Sequence, residues 1–415
     1  MSKFAYMFFK LAYKIRTNGF LLMMAMLTCW LQPHAGTLSD PIFGRDAKDV
    51  TVSVLTVYPG KIFYELEGHT MLRVRSSDYD ICVNWGVFDF NESDFIYRFV
   101  KGETDYMAAA FPTALSLQEY KMSGRRVVEQ VLDLDSIQTR TLLSEVALNL
   151  LPDNRRYRYN YLYDNCATRP LRFIEAAVGD TLVKADRMST STFRQLMSGY
   201  HKNYPWYQFG IDLALGSGID KDITVRDEGF APVRLKALLD EVYLGDGRKL
   251  VKDSHVMIDT PDCGAVLSPT PWYLSPMAVS CAVLLVGLYF VIRSCRRLGV
   301  PRVFSSIFYI VCFVAGCLLV FLVYVSSHEA TSPNWLLLWL NPLAIIPGVG
   351  VWLKNCNRVL VYYHFANFVA LLTITLIALF DIQSLNAAFW PLILLDAVLS
   401  CQYVATMKWT RTRRF

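Results

Sequence analysis

Two residues in this chain have the types and settings needed for nucleophilic catalysis. Cys166 stands in Asp164-Asn165-Cys166-Ala167-Thr168-Arg169, and His69 in Glu67-Gly68-His69-Thr70-Met71-Leu72-Arg73-Val74. A tyrosine-rich, extended stretch from Arg156 to Tyr163 leads into a helix that runs to Val178 and stops at Gly179. Asn165 is a good N-cap, and Pro170 is early enough in the helix to be tolerated. Cys166 is therefore expected at the first helical position. A helix N-terminus carries roughly half a positive charge, which lowers a thiol's pKa and favours the nucleophilic thiolate. Arg169, one turn along, adds to that field.

A thiolate nucleophile also needs a base oriented by a third group. His69 opens a predicted strand, and Gly68 before it leaves room for a substrate to approach. The partner strand of the same hairpin puts Asn84 within cross-strand reach, where it can fix the imidazole tautomer. The other histidines compete less well. His34 lies in the leader, His364 inside an apolar helix, and His201 and His255 have no patterned context. On spacing alone, a buried packing cysteine and a satisfied surface histidine account for the same residues.

The elements that must hold these groups read as α+β. Thr51–Tyr58 alternates as a strand and ends at Pro59-Gly60. Thr70–Arg75 and Ile81–Val87 pair across the Ser76–Asp80 turn. Glu92–Lys101 reads as helix, Arg125–Leu134 as strand, and Ser136–Leu151 as an amphipathic helix opening on a serine cap. Pro232–Leu244 is a further amphipathic helix.

Near residue 270 the composition changes. The overall 53% hydrophobic content and the net charge of +5 average two different solvents. The basic residues of the second half sit where a membrane would put them, so the charge gives no case for nucleic acid. Five segments, about 272–292, 303–325, 335–353, 359–380 and 388–406, approach the roughly 20 apolar residues that a bilayer core requires. Their hinges alternate in charge. Arg293, Arg296, Arg297 and Arg302 fill the first, Lys354 and Arg358 the third, and Lys408, Arg411, Arg413 and Arg414 the tail at 407–415. Ser326–Asn334 and Asp381–Ala387 carry no Lys or Arg. Positive loops stay in the cytoplasm, so the domain at 45–265 is expected outside, tethered to an inner membrane. Residues 1–36 agree, with four basic residues before an apolar run, as a cleaved signal peptide or an uncleaved anchor.

Of ten cysteines, only Cys82, Cys166 and Cys263 fall in the exported domain. An odd number leaves at least one thiol without an internal partner. Cys82 is either paired with Cys263 or a buried apolar residue. Asn341 and Asp396 are buried polar candidates among the apolar segments; an ionised Asp at mid-bilayer costs roughly 2.5–3.5 kcal/mol. Asp396 is thus expected to face other helices. Tyr204, Trp206, Tyr207 and Phe209 read as core packing before interfacial anchoring.

The Gly68-His69 strand, the Asn84-Trp85-Gly86-Val87-Phe88-Asp89-Phe90 strand and the Asp164–Arg169 element resemble the exported domain of the Lnb-type lipoprotein N-acyltransferases. Ser327-His328-Glu329 and Asn334-Trp335-Leu336-Leu337-Leu338-Trp339-Leu340-Asn341-Pro342-Leu343 resemble that family's membrane half. The resemblance implies a permuted papain-like thiol fold of the NlpC and lecithin:retinol acyltransferase kind, with His before Cys along the chain, followed by five transmembrane helices. It implies that Cys166 takes an acyl chain from a phospholipid as a thioester, with His69 as base and Asn84 as its orienting group. The acceptor would be the α-amine of a diacylated lipoprotein cysteine. Asn165, Arg169 and Tyr163 beside the nucleophile, and His328 and Asn334 in the outer hinge, are the residues expected to bind substrate. No metal and no cofactor is required.

Two other functions compete. NlpC-type domains also cleave cell-wall peptides, although a peptidase seldom needs a membrane block. A non-enzymatic assembly or transport component would use the exported domain to bind a partner.

Overall fold

The computed structural model describes residues 49–88, 94–179, 187–260, 269–297, 299–353 and 355–412. The leader at 1–36, Asp89, Phe90 and Cys263 lie outside the described residues.

The exported part is built on an antiparallel sheet. In chain order its strands are β1 (Thr51–Val57), β2 (His69–Arg75), β3 (Asp80–Val87), β4 (Asp105–Pro112), β5 (Val127–Leu132), β6 (Arg156–Arg158), β7 (Met188–Thr192), β8 (Asp222–Thr224) and β9 (Val251–Ile258). Seven of them pair in the order β6-β4-β3-β2-β1-β5-β9, and β7 pairs with β8 separately. β1 is buried from Val52 to Val57, so its polar Ser53 and Thr56 are enclosed along with its valines. Val54, Leu55, Met71, Leu72, Val83 and Trp85 are fully buried. Each such side chain stabilises the sheet by about 1.5–3 kcal/mol relative to exposure.

The β2–β3 hairpin is the one predicted from sequence, and it occupies the middle of the sheet. Arg73 locks it, donating from Nε to Asp80 at 2.8 Å and from Nη1 to Glu129 of β5 at 2.9 Å. β4, by contrast, has an alanine run that gives no strand signal. It pairs with β3 because Ala108 and Ala109 lie opposite the bulky Trp85 and Asn84. Small side chains there leave room for Trp85, whose Nε1 donates to Asn149 at 2.8 Å.

Helices α1 (Phe95–Lys101), α2 (Thr113–Met122), α3 (Ser136–Leu150), α4 (Thr168–Val178), α5 (Phe193–His201), α6 (Pro205–Ala214) and α7 (Pro232–Glu241) complete this part. The cap of α3 is Asp135 rather than Ser136. Its carboxylate accepts from Ile137 and Gln138, and the Gln138 side chain returns a bond to the Asp135 amide. That reciprocal capping box outcompetes a serine one residue later.

Beyond residue 269, four helices are long and apolar enough to cross a membrane: α8 (Pro276–Cys295), α9 (Arg302–Tyr324), α11 (Asn357–Leu379) and α12 (Phe389–Thr412). The expected span at 335–353 is not one continuous helix. It breaks into 3-10 turns at Trp335–Leu338 and Pro342–Ala344, followed by a short helix α10 (Ile345–Gly350). Asn334 and Asn341 cap those turns with their side-chain oxygens, and Pro342 and Pro347 remove backbone donors. This broken segment crosses α9 closely: a Cβ at Gly316 would come within 2.5 Å of the Asn341 backbone.

Candidate active site

The sequence-predicted residues converge at the middle of the sheet. His69 starts β2 opposite Val57 of β1. Asn84, on β3, lies opposite Met71, one side-chain repeat along the same face from His69. Its Oδ1 lies 3.1 Å from His69 Nε2. With the amide oxygen facing it, Nε2 carries the proton and Nδ1 is left with a free lone pair.

Cys166 lies just before α4. Asn165 Oδ1 accepts from the amides of Ala167 at 2.8 Å and Thr168 at 2.9 Å. The Asn165 amide donates to Thr168 Oγ1 at 2.8 Å, and the Asn165 carbonyl accepts from the Arg169 amide at 3.1 Å. Hydrogen bonding thus begins at Asn165, two residues ahead of the regular helix, with Cys166 in the first turn. The Asn165 amide nitrogen also donates to the carbonyls of Tyr161 and Phe230, at 2.7 and 2.9 Å. Every polar atom of this buried side chain serves to shape the turn.

The thiol meets β2 at the residue after His69. The backbone amides of Thr70 and Cys166 lie close enough to the sulfur to favour its charged form. Burial nevertheless dominates and pushes the Cys166 pKa up to about 11, with the carboxylate of Glu67 adding to the rise. The two amides and the Arg125 charge act in the opposite direction but do not overcome it. The helix terminus therefore does not produce a standing thiolate, contrary to the expectation from the dipole alone. Burial likewise lowers His69 to about 4, against the opposing bond from Asn84. Both groups are neutral at neutral pH. A proton must move during attack, not before it.

Gly68 also has a reason in the backbone. Its φ is +89°, and a Cβ there would strike the Val57 carbonyl at 2.4 Å. The glycine lets the chain turn tightly against β1.

Two neighbouring groups were not legible as site residues. Glu67 Oε1 lies 2.8 Å from His201 Nε2 and also receives the Tyr161 hydroxyl. His201 is completely enclosed, and its Nδ1 lies 2.9 Å from Gln208 Oε1. Arg125, 5% exposed, donates from Nε to the Tyr58 carbonyl at 3.0 Å. The only available signal was the position of Glu67 beside Gly68-His69; nothing local marks His201.

The other expected binding residues are held by the protein's own groups. The Arg169 guanidinium grips Asp164 at 2.6 and 2.8 Å and stacks 3.5 Å above the Tyr157 ring. Tyr163 is half exposed, edge-on to Phe193. His328 Nε2 meets the Phe99 carbonyl at 2.7 Å, while Ser326 and Ser327 bond to the carbonyls of Val100 and Lys101. Asn334 is buried, donating to the Leu213 carbonyl at 3.0 Å and accepting from the Leu336 amide and Gln383. The outer hinge is thus clamped between α1 and the end of α6.

Cys82 is a free, buried thiol, 3.3 Å from Thr113 Oγ1. The aromatic group of α6 divides: Tyr207 lies edge-on to His201 at 4.7 Å and Tyr204 donates to the Lys61 carbonyl at 2.7 Å, both in the periplasmic part, whereas Trp206 and Phe209 face the membrane half. Phe209 packs on Phe389 at 4.9 Å, and half-exposed Trp206 donates to the Leu274 carbonyl at 2.8 Å.

Two family comparisons match this chain. Residues 45–199 match the Lnb N-terminal periplasmic domain, and residues 268–410 match the Lnb transmembrane domain. The chain belongs to the Lnb family. Its Lnb domains make it a multi-pass membrane protein of lipoprotein biogenesis with a periplasmic part. No curated protein and no solved structure matches it.

Proposed function

We propose that this Lnb protein is an inner-membrane lipoprotein N-acyltransferase that works through an acyl-thioester on Cys166. The observation that carries the reading is His69 held by Asn84 at 3.1 Å, with the enclosed Cys166 thiol beside the next residue of the same strand, Thr70. The donor is a phospholipid and the acceptor the α-amino group of a diacylated lipoprotein cysteine.

The chemistry follows from two neutral partners. His69 Nδ1 takes the thiol proton as the sulfur attacks the ester carbonyl. The C–S bond forms, the ester C–O bond breaks, and the imidazolium returns its proton to the departing lysophospholipid oxygen. The amides of Thr70 and Cys166, already close to the sulfur, are suited to stabilise the tetrahedral oxyanion. In the second half, the acceptor amine attacks the thioester, the C–N bond forms and the thiol is regenerated.

The membrane tether supports this reading. Extracting an acyl chain from a bilayer costs about 0.8 kcal/mol per methylene, and a nucleophile fastened to membrane helices avoids much of that.

Mass spectrometry of lipoprotein N-termini tests the proposal. Deletion of the gene should leave free α-amines, and a Cys166→Ala copy should fail to restore N-acylation. Full restoration by Cys166→Ala would overturn the assignment. Unchanged lipidation in the deletion strain would favour a peptidase or an assembly component.

A further inference from the structure

The acyl-thioester reading uses Cys166, His69 and Asn84 but leaves a second buried polar group beside them unexplained. Glu67 precedes His69 by one tightly turned glycine, and its charge reaches the Cys166 thiol. Both of its donors, the Tyr161 hydroxyl and the His201 ring, converge on Oε1. Among the described residues, Oε2 receives no hydrogen bond, and the side chain is 20% exposed. Gln208 holds His201 from behind at 2.9 Å, and itself donates to Ser198 Oγ at 3.0 Å. The chain thus invests α5 and α6 in aiming one carboxylate whose second oxygen is unused. A carboxylate fixed in this way is a receptor for a cation.

We propose that Glu67 binds the α-ammonium of the lipoprotein acceptor next to the Cys166 thioester, with His201, Tyr161 and Gln208 as its positioning residues. This rests on the acyl-thioester reading. In the first half-reaction no ammonium nitrogen reacts; in the second the acceptor's does. The acceptor arrives as R–NH3+ and must lose a proton before it can attack. Glu67 takes that proton and passes it to water. The neutral nitrogen then attacks the thioester carbonyl, the C–N bond forms, and the C–S bond breaks. His69 removes the second nitrogen proton and delivers it to the departing sulfur, restoring the thiol. The net products are an amide, the free thiol and one proton released to solvent.

The test uses the full-length protein in phospholipid nanodiscs. Glu67→Gln should still form the acyl-thioester, but transfer to a diacylated lipopeptide bearing a free α-amine should fall about 10- to 100-fold, the worth of a charged hydrogen bond. Cleavage of the same thioester by hydroxylamine, a nucleophile that is neutral at neutral pH, should be unchanged. Glu67→Asp should recover part of the lipopeptide transfer. Equal slowing with both nucleophiles, or no slowing with either, would overturn the proposal. A wild-type measurement guards against a variant that does not fold. An α-N,N-dimethylated lipopeptide, which keeps a protonated nitrogen but yields no stable amide, should inhibit more strongly than its α-hydroxy analogue. Equal inhibition would overturn the assignment of Glu67. A wild-type protein that forms no thioester would instead bring down the acyl-enzyme reading on which it rests.

Discussion

The protein contains two enclosed polar clusters, one in the periplasmic part and one among the membrane helices. In the second, Asp396 Oδ1 accepts from Tyr309 at 2.8 Å and Asn367 at 2.7 Å. Ser400 Oγ lies 3.1 Å from both Asn367 Nδ2 and His364 Nδ1. This cluster ties α9, α11 and α12 together, with His364 held through one ring nitrogen and Asp396 through Oδ1. The periplasmic cluster instead flanks Cys166. His69 has one nitrogen bonded to Asn84 and one left over, Cys166 sits beside two amides, and Glu67 uses a single oxygen. Buried polarity by itself therefore does not mark a reactive site. Under the proposed function, an unspent lone pair beside the thiol does.

The largest test of that contrast falls on the unspent nitrogen. His69→Gln should lower acyl-thioester formation by about 10²–10⁴-fold, the usual contribution of a general base. Normal loading in the variant would place the base elsewhere. The next test concerns the resting proton. Alkylation of Cys166 by iodoacetamide should climb with pH toward about 11, because burial disfavours the thiolate until then. A rate already at its plateau at neutral pH would reveal a preformed ion pair. The smallest effect belongs to the closed cluster. Tyr309→Phe should cost about 0.6 kcal/mol of membrane-domain stability, typical of one interhelical hydrogen bond, and leave thioester formation intact. Thermal unfolding in detergent and thioester trapping would report the two separately, and loss of loading would break the distinction.

Legibility followed sequence distance. His69, Asn84 and Cys166 stood out as candidates because each lies in a local pattern, a hairpin strand or a capped helix start. The hairpin pairing itself was readable from alternation and turn residues. Glu67 and His201 meet across 134 positions, and no periodicity encodes such a contact. The alanines of β4 look helical in isolation; they form a strand because Trp85 next door needs small neighbours. The apolar count of 335–353 suggested a span, but apolarity measures solvent preference, and the Asn-Pro and Pro-Gly steps decide the backbone. Asn334 read as a ligand for substrate because it is polar in an outer hinge; its bonds go to the Leu213 carbonyl, the Leu336 amide and the Gln383 side chain. The dipole argument for Cys166 was sound in sign and too small against burial.

Helix α6 gives the arrangement a mechanical meaning. It carries Gln208, the support of His201, together with Phe209 against Phe389 and Asp212, which accepts from Asn386 at 2.8 Å. Its ten residues span about 15 Å. The same short rod that steadies the polar group beside the thiol is bolted to the helices in the lipid. Under the proposed function, the sulfur is therefore kept at a set working height above the bilayer, like a tool in a fixed mount. Substrates would then be brought to the blade by their own depth in the membrane, and those whose reactive bond sits at another level would never meet it.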